Sequence, residues 1–499
     1  MRSRNYEIAM HSSFASVLLL IVLLTSGNSF ASDAAMDCFI NSGQNFNKIL
    51  SCYKQAHTEE SLNYKATDLK KFPGVEKRSF ELKSQRWDGH GFVSPSEWTH
   101  TIDIYIPEAA LNGQALLIAN NGINIPAAGR PLQTPTDFTE EMALNIARQT
   151  HTILISVSNI PNQYLTYSDD DLPRREDDSV AHSWALFLKQ PESRPFLSLH
   201  IPMMLSLVKA MDLAQQELKP WKIERFIASG ASKRGWAAWM TALTDTRVSA
   251  IAPFVIDILN TKAVLKHTFN AYGKSWPIAF NAYYREGITQ QLDTPDFEKL
   301  MQIEDPLLYM ETAGDRLTIP KYIVNASSDD FFLPDNSAYF YDALPGEKML
   351  RVAPNSDHYG IQAFVEQSLI GFTNRLQQQR PLPTLNVITN NQQTSTKFDL
   401  SFSERPVKLV QWRAHNLNDR DFRLACRVKY EATPIASSDI DTLTVELSTP
   451  AQGWSATYIE ATMADGLVIT TPVVVLPDTY PNWTPTQIEP ACKNLSDPT

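Results

Sequence analysis

The chain has 499 residues, 43% of them hydrophobic and 20% charged, which is the make-up of a folded protein with a large core and excludes a disordered or low-complexity one. Its 44 Lys and Arg against 55 Asp and Glu give a formal charge of −11, which repels phosphate backbones and excludes nucleic acid as a general partner.

Arg2 and Arg4 precede an apolar run of 11 residues, 14–24, and Ser29-Phe30-Ala31 puts small residues at −3 and −1 of a cleavage site after Ala31. This pattern predicts a signal peptide over 1–31 and an exported mature chain, periplasmic or secreted. No later segment is long and apolar enough to span a bilayer, so no stable membrane insertion of the mature chain is expected. The four cysteines, Cys38, Cys52, Cys426 and Cys492, are an even count behind an export signal and predict two disulfides. Three pairings are open. Cys38–Cys52 and Cys426–Cys492 are favoured, because the first two are near neighbours and the last two share a C-terminal module. Their spacing matches no zinc site.

Residues 37–57 read as a short helical segment. From Lys77 the pattern becomes strand-like: Ser79-Phe80-Glu81-Leu82 and Thr101-Ile102-Asp103-Ile104-Tyr105-Ile106 alternate with period two. Short continuous apolar runs follow at 115–119, 152–157, 226–228, 250–256 and 322–324, the signature of strands buried on both faces of a parallel sheet. Helical stretches lie between them, among them 202–218 with Met204, Leu207, Met211, Ala214 and Leu218 at helical spacing. The alternation predicts a doubly wound, mostly parallel α/β sheet over 32–380. Residues 258–318 interrupt the rhythm with a cluster of aromatics and read as a cap-like insertion over the sheet. A helix from 361 to about 379 runs into Arg380-Pro381-Leu382-Pro383, read as a linker. Beyond it, strand patterns at 397–402, 407–412, 424–430, 443–447, 457–462 and 467–475 predict a β-sandwich-like module over 384–499.

The chemistry centres on Gly230-Ala231-Ser232-Lys233-Arg234-Gly235, between the apolar run 225–229 and a helix-compatible stretch 236–243. Strand, glycine, serine, glycine, helix is the grammar of a nucleophile elbow. The second glycine comes one residue later than in G-x-S-x-G. A serine hydroxyl needs a base to take its proton and an acid to orient that base, in the chain order Ser, Asp/Glu, His. The run 322–324 leads into Asp329-Asp330, and the strand-like 348–352 leads into Asp357-His358. His358 is the only histidine between Asp330 and the linker. The reading is Ser232 as nucleophile, His358 as base and Asp329 as acid, with Asp330 and Asp257 as alternative acids. An oxyanion hole needs one backbone N–H just after the nucleophile, from Lys233, and a second from the Asn120-Asn121-Gly122 turn, at Asn121 or Gly122. The Lys233 side chain is expected in solvent, or else over the oxyanion. The acidic runs 169–171 and 176–178 lack the glycine and ligand spacing of a calcium loop and read as a solvated loop. No zinc, phosphate-loop or dinucleotide motif is present, so no metal or cofactor is expected.

These same residues carry a resemblance. Ser229-Gly-Ala-Ser-Lys-Arg-Gly-Trp236, Val255-Ile-Asp-Ile-Leu-Asn260, the run from Asn325 to Asp335 and Pro354-Asn-Ser-Asp-His358 are similar to the PhoPQ-activated pathogenicity-related proteins. Arg175-Glu176-Asp177, Pro202-Met203 and Arg420-Asp421-Phe422-Arg423 fit as well. The resemblance covers nearly all of the mature chain. It implies an α/β-hydrolase-like fold with a β-rich C-terminal part, and a G-x-S-x-x-G elbow shared with glucuronoyl esterases. It also implies Asp329 rather than Asp330 as the acid, since the family pattern runs D-x-F-F; the usual preceding glycine is here Ser328. Two functions are open. One is an exported serine hydrolase acting on a small-molecule ester or amide, or a peptide, through an acyl-enzyme. The other is a secreted signalling or binding protein with an extracellular protein partner and no required catalysis, as the family includes a secreted proliferation repressor.

Overall fold

The computed structural model describes residues 27–89, 91–124, 132–391, 395–436, 441–483 and 490–496. The signal-peptide reading falls mainly on 1–26 and lies outside the described residues; a helix, α1 (Gly27–Asn41), runs through the expected cleavage site. A second helix, α2 (Ile49–Ala56), is tied to it by the Cys38–Cys52 disulfide.

Nine strands form the central sheet: β1 (Asn63–Phe72), β2 (Val75–Arg86), β3 (Glu97–Pro107), β4 (Gln114–Ala119), β5 (Ile153–Val157), β6 (Arg225–Ala231), β7 (Val248–Phe254), β8 (Lys321–Ala326) and β9 (Lys348–Ala353). Their spatial order is β1-β2-β3-β5-β4-β6-β7-β8-β9. The pairs β1–β2, β2–β3 and β3–β5 are antiparallel, and every pair from β5 to β9 is parallel. Strands β4, β5 and β8 are buried along their whole length, as their apolar runs require. Successive side chains feed opposite layers: Ala115, Leu117 and Ala119 join one core and Leu116 and Ile118 the other. The first core is covered by α4 (Glu176–Lys189), α5 (His200–Glu217) and α6 (Lys233–Thr244), the second by α3 (Glu140–Thr150) and, further along the chain, by α9 (Gln362–Gln377). Each fully buried Leu or Ile contributes about 2 kcal/mol to this sandwich of layers. The doubly wound reading therefore holds, with β1 as an added antiparallel edge.

The segment 258–318 is helical, with α7 (Thr261–Ala271) and α8 (Pro295–Glu304) as its longest pieces. A chain of rings, Phe269–Trp276–Phe280, packs at 5.2 and 5.6 Å between centroids and continues to Phe331 at 5.9 Å.

Downstream lie two antiparallel sheets. One joins β10 (Leu385–Asn391), β11 (Ser395–Phe402) and β14 (Thr442–Ser448); the other joins β12 (Lys408–Asn416), β13 (Glu431–Ile435), β15 (Trp454–Thr462), β16 (Val468–Thr470) and β17 (Val474–Leu476). Two strand expectations are corrected. Residues 424–430 hold only a single 3₁₀ turn, Leu424–Cys426, because their groups are used for anchoring: the Leu424 N–H donates to the Ser328 carbonyl and Cys426 is bridged to Cys492. Residues 467–475 split in two at Pro472, which has no N–H for the ladder. The Pro-rich stretch 380–384 is packed rather than loose: Leu382 is buried and Arg375 donates to the Pro381 carbonyl. A final strand, β18 (Asn494–Ser496), leaves these sheets and pairs with Ser275–Pro277 of the helical insertion. Among the described residues no helix is long and apolar enough to cross a membrane.

Candidate active site

The elbow is built by steric exclusion. Ser232 joins β6 to α6 with φ +56° and ψ −131°, a left-handed conformation that costs a non-glycine residue about 1–3 kcal/mol. Its N–H donates to the Phe254 carbonyl at 2.8 Å, which pins the turn to β7. A Cβ on Gly230 would lie 2.6 Å from the Arg234 carbonyl, and one on Gly235 would lie 2.8 Å from the Gly230 carbonyl. The helix thus touches the strand at 230 and 235. Position 234 can carry a side chain.

That side chain is the hub of a buried ion network. Arg234 is 3% exposed; its Nε donates to the Ile160 carbonyl at 2.5 Å, Nη1 reaches Asp137 at 3.1 Å and Nη2 reaches Glu176 at 2.6 Å. Lys233 is also buried, with Nζ 3.0 Å from Glu176 and 3.1 Å from Asp177. Burial opposes the Lys233 charge, but Asp177 and Glu176 outweigh it and hold the ammonium above its ordinary range. Burial likewise opposes the Glu176 charge, and Arg234 and Lys233 overcome it and hold the carboxyl well below its ordinary range. Two expectations are corrected here. The Lys233 side chain is not in solvent, and Glu176 and Asp177 are not part of a solvated loop: they start α4 and clamp the first turn of α6. Asp178 does face outward, paired with Arg285 at 2.6 Å, and Asp170 pairs with Arg174.

The histidine and its carboxylate come from the loops after β9 and β8. His358 Nδ1 lies 2.9 and 3.0 Å from the two oxygens of Asp329, and both residues are buried. Asp329 Oδ1 also accepts the N–H groups of Phe331 and Phe332, at 2.7 and 3.2 Å, which fixes the carboxylate plane. Burial lowers the His358 pKa, Asp329 raises it by more, and the net position is above the ordinary 6.5. The alternative acids sit elsewhere. Asp330 makes no bond to the ring, and burial, with Asp329 and Asp357, pushes it up to about 6. Asp257 follows β7, is 2% exposed, and is raised well above the carboxylate range by burial and by Asp329. Of the three, Asp329 is the one bonded to His358.

Ser232, Lys233, Asn121, Gly122 and His358 all line one cavity of about 310 Å³. At the Asn120-Asn121-Gly122 turn, the Asn121 N–H already donates to Asn120 Oδ1 at 3.0 Å, and the Asn121 amide holds Thr136 and Asp137 at 2.8 and 2.9 Å. Gly122, at φ +126°, is therefore the better placed of the two to offer a second donor. A smaller cavity of about 40 Å³ also reaches Ser232, walled by Trp184, Trp236, Leu265, Phe280, Leu292 and Phe332. Sequence reading did not assign roles to Asp137, Arg234, Glu176 or Asp177. The signal available was complementarity, three acids opening one helix and a Lys-Arg pair opening another.

This strand order, with the elbow after β6 and the carboxylate and histidine after β8 and β9, defines a protein of α/β-hydrolase architecture. The chain belongs to the PhoPQ-activated pathogenicity-related protein family, whose model matches residues 50–423. The autocrine proliferation repressor protein A of Dictyostelium discoideum is 30% identical over 432 residues, covering 80% of this chain and 85% of that protein. Among solved structures, an acetyl xylan esterase from Paenibacillus sp. R4 aligns at TM-score 0.43 and 13% identity, over 70% of this chain and 99% of its own. A glucuronoyl esterase from Solibacter usitatus aligns at TM-score 0.38 and 12% identity, over 63% of this chain and 86% of its own.

Proposed function

We propose that the protein is an exported serine hydrolase that cleaves an ester or amide through an acyl-enzyme at Ser232. The observation that carries this reading is that His358, bonded to Asp329, lines the same cavity as a serine held in a left-handed elbow. In the first step Ser232 Oγ attacks the acyl carbon and its proton passes to His358 Nε2, the nitrogen not engaged by Asp329. The N–H groups of Lys233 and Gly122 receive the developing oxyanion. The bond to the leaving group then breaks, and His358 returns the proton to the departing oxygen or nitrogen. Water, deprotonated by His358, cleaves the acyl-enzyme and releases the acid. The chemistry uses this chain's side chains and water. Two disulfides, Cys38–Cys52 and Cys426–Cys492, support export into an oxidising compartment.

A fluorophosphonate probe tests the reading, because it reacts with an activated serine and spares an inert one. Wild-type protein should be labelled at Ser232, and Ser232→Ala should lose the label while melting within about 0.5 kcal/mol of wild type, as expected for a surface-like hydroxyl. Folded wild-type protein that refuses the probe would favour the second reading, a secreted signalling protein acting through an extracellular partner. That alternative is supported by the name of the 30% identical relative.

A further inference from the structure

We infer that the substrate is an ester of a short apolar acid with a polar, hydroxyl-rich alcohol; this rests on Ser232 and His358 acting as proposed above. The two cavities that meet at Ser232 differ in chemistry, and the position of His358 tells which takes which half of the substrate. His358 must deliver its proton to the leaving oxygen, so the alcohol has to lie on the histidine's side of the scissile bond. His358 lines the larger cavity and not the smaller one. The alcohol therefore occupies the 310 Å³ cavity, and the acyl chain enters the 40 Å³ one, which also reaches Ser232.

Each cavity's walls then name what fits. The smaller is bounded by Trp184, Trp236, Phe280, Leu292 and Phe332, and its only charged walls, Lys233 and Asp177, are paired with each other. Its other polar side chains are Ser232 itself, Tyr283, which is bonded to Asp177, and Thr289, whose single buried hydroxyl could not satisfy a charged or multiply polar acyl substituent, so such a group would lose several kcal/mol of hydration there. Its space equals about three water-sized groups, enough for two or three carbons beyond the carbonyl and too little for a fatty chain. The larger cavity presents Gln133, Thr136, Asp137, Arg175 and Gln362, which offer both donors and acceptors. At its rim stands Tyr359, 79% exposed, a ring face open for the C–H side of a sugar or polyol. An apolar alcohol would desolvate these groups without replacing their hydrogen bonds.

The test uses the full mature chain with acetyl, butyryl and octanoyl esters of methyl glucoside, and with benzyl acetate, while a separate aliquot of the same unlabelled preparation is tested for fluorophosphonate labelling. The expected result is a kcat/KM for the acetyl or butyryl glucoside at least tenfold above both the octanoyl glucoside and benzyl acetate. Leu292→Ala, which lengthens the apolar cavity, should narrow the butyryl-to-octanoyl ratio at least threefold; the wild-type ratios decide the matter if this variant fails to fold. A preparation whose aliquot takes up the probe but which prefers the octanoyl ester or benzyl acetate, or cleaves none of the four, overturns the substrate inference and leaves the hydrolase reading standing. Protein that is not labelled at all removes both.

Discussion

Asp329 and His358 are 29 positions apart in sequence and share two contacts at 2.9 and 3.0 Å, so the carboxylate fixes which ring nitrogen holds the proton. Asp329→Asn should lower labelling and any hydrolysis by about ten-thousand-fold, because the amide turns the ring to the wrong tautomer. Asp330→Asn and Asp257→Asn should each cost less than tenfold. Comparing second-order labelling rates of the three variants checks the ranking, and a larger loss at Asp330 would move the acid there. The sign of the pH dependence follows from the same pair. Ser232 needs neutral His358, and Asp329 holds the imidazolium stable above the ordinary 6.5, so reactivity should rise with pH through a midpoint above 6.5. Any stabilisation that His358 contributes runs the opposite way: it is complete below the unfolded-state pKa and is lost as pH rises through the folded one. These residues were legible in the sequence because an α/β-hydrolase fixes their order and each follows an apolar run. Glu176 was not, since its partner Arg234 lies 58 positions away and nothing local distinguishes a clamp from a solvated acid.

At the scale of the element, the elbow shows how two glycines set one turn. Gly235→Ala would place a methyl 2.8 Å from the Gly230 carbonyl and 3.0 Å from Ile256, so strand and helix must part. Destabilisation of about 1–3 kcal/mol is expected, with labelling of Ser232 reduced far beyond what that stability change explains. Thermal unfolding and labelling on the same sample separate the two effects; an unchanged labelling rate would mean that the contact at 235 does not hold the serine. The parallel strands were readable for the reason that buries them: a strand covered on both faces has no polar positions to blur its apolar run. Strand β1 was not readable because it is exposed along nearly all its length, with Lys65, Lys70 and Lys71 on an open edge where charge discourages pairing with another chain. Strand β13 was missed too, its Glu431-Ala432-Thr433-Pro434-Ile435 being mostly exposed and interrupted by proline.

Across the whole molecule, the C-terminal sheets are bound into the α/β body rather than appended to it. Tyr322 of β8 donates to the Val468 carbonyl, Asn355 and Tyr430 exchange two hydrogen bonds, and Arg420 pairs with Asp335 at 2.5 Å. The composition shift at 380–384 marked the place where the chain leaves the parallel sheet. It carried no sign of the contacts that return, which join residues far apart in sequence. The Cys426–Cys492 bridge sits where those contacts converge: Arg423 donates to the Cys492 carbonyl at 2.9 Å, and β18 begins two residues later. Replacing both cysteines by serine should cost roughly 2–4 kcal/mol, read by denaturant unfolding without reductant. It should also loosen the insertion that carries Phe280, so the acyl-length preference should flatten. A variant that loses stability but keeps the full preference would show that β18 holds its place without the bridge.

The pairing of β18 with Ser275–Pro277 has a consequence for biosynthesis. Asn494 bonds Ser275 across 219 positions of chain. When Ser232, Asp329 and His358 have all left the ribosome, the strand that pairs with the helical insertion has yet to be made. The insertion therefore cannot complete this strand pairing until residues 494–496 have been translated.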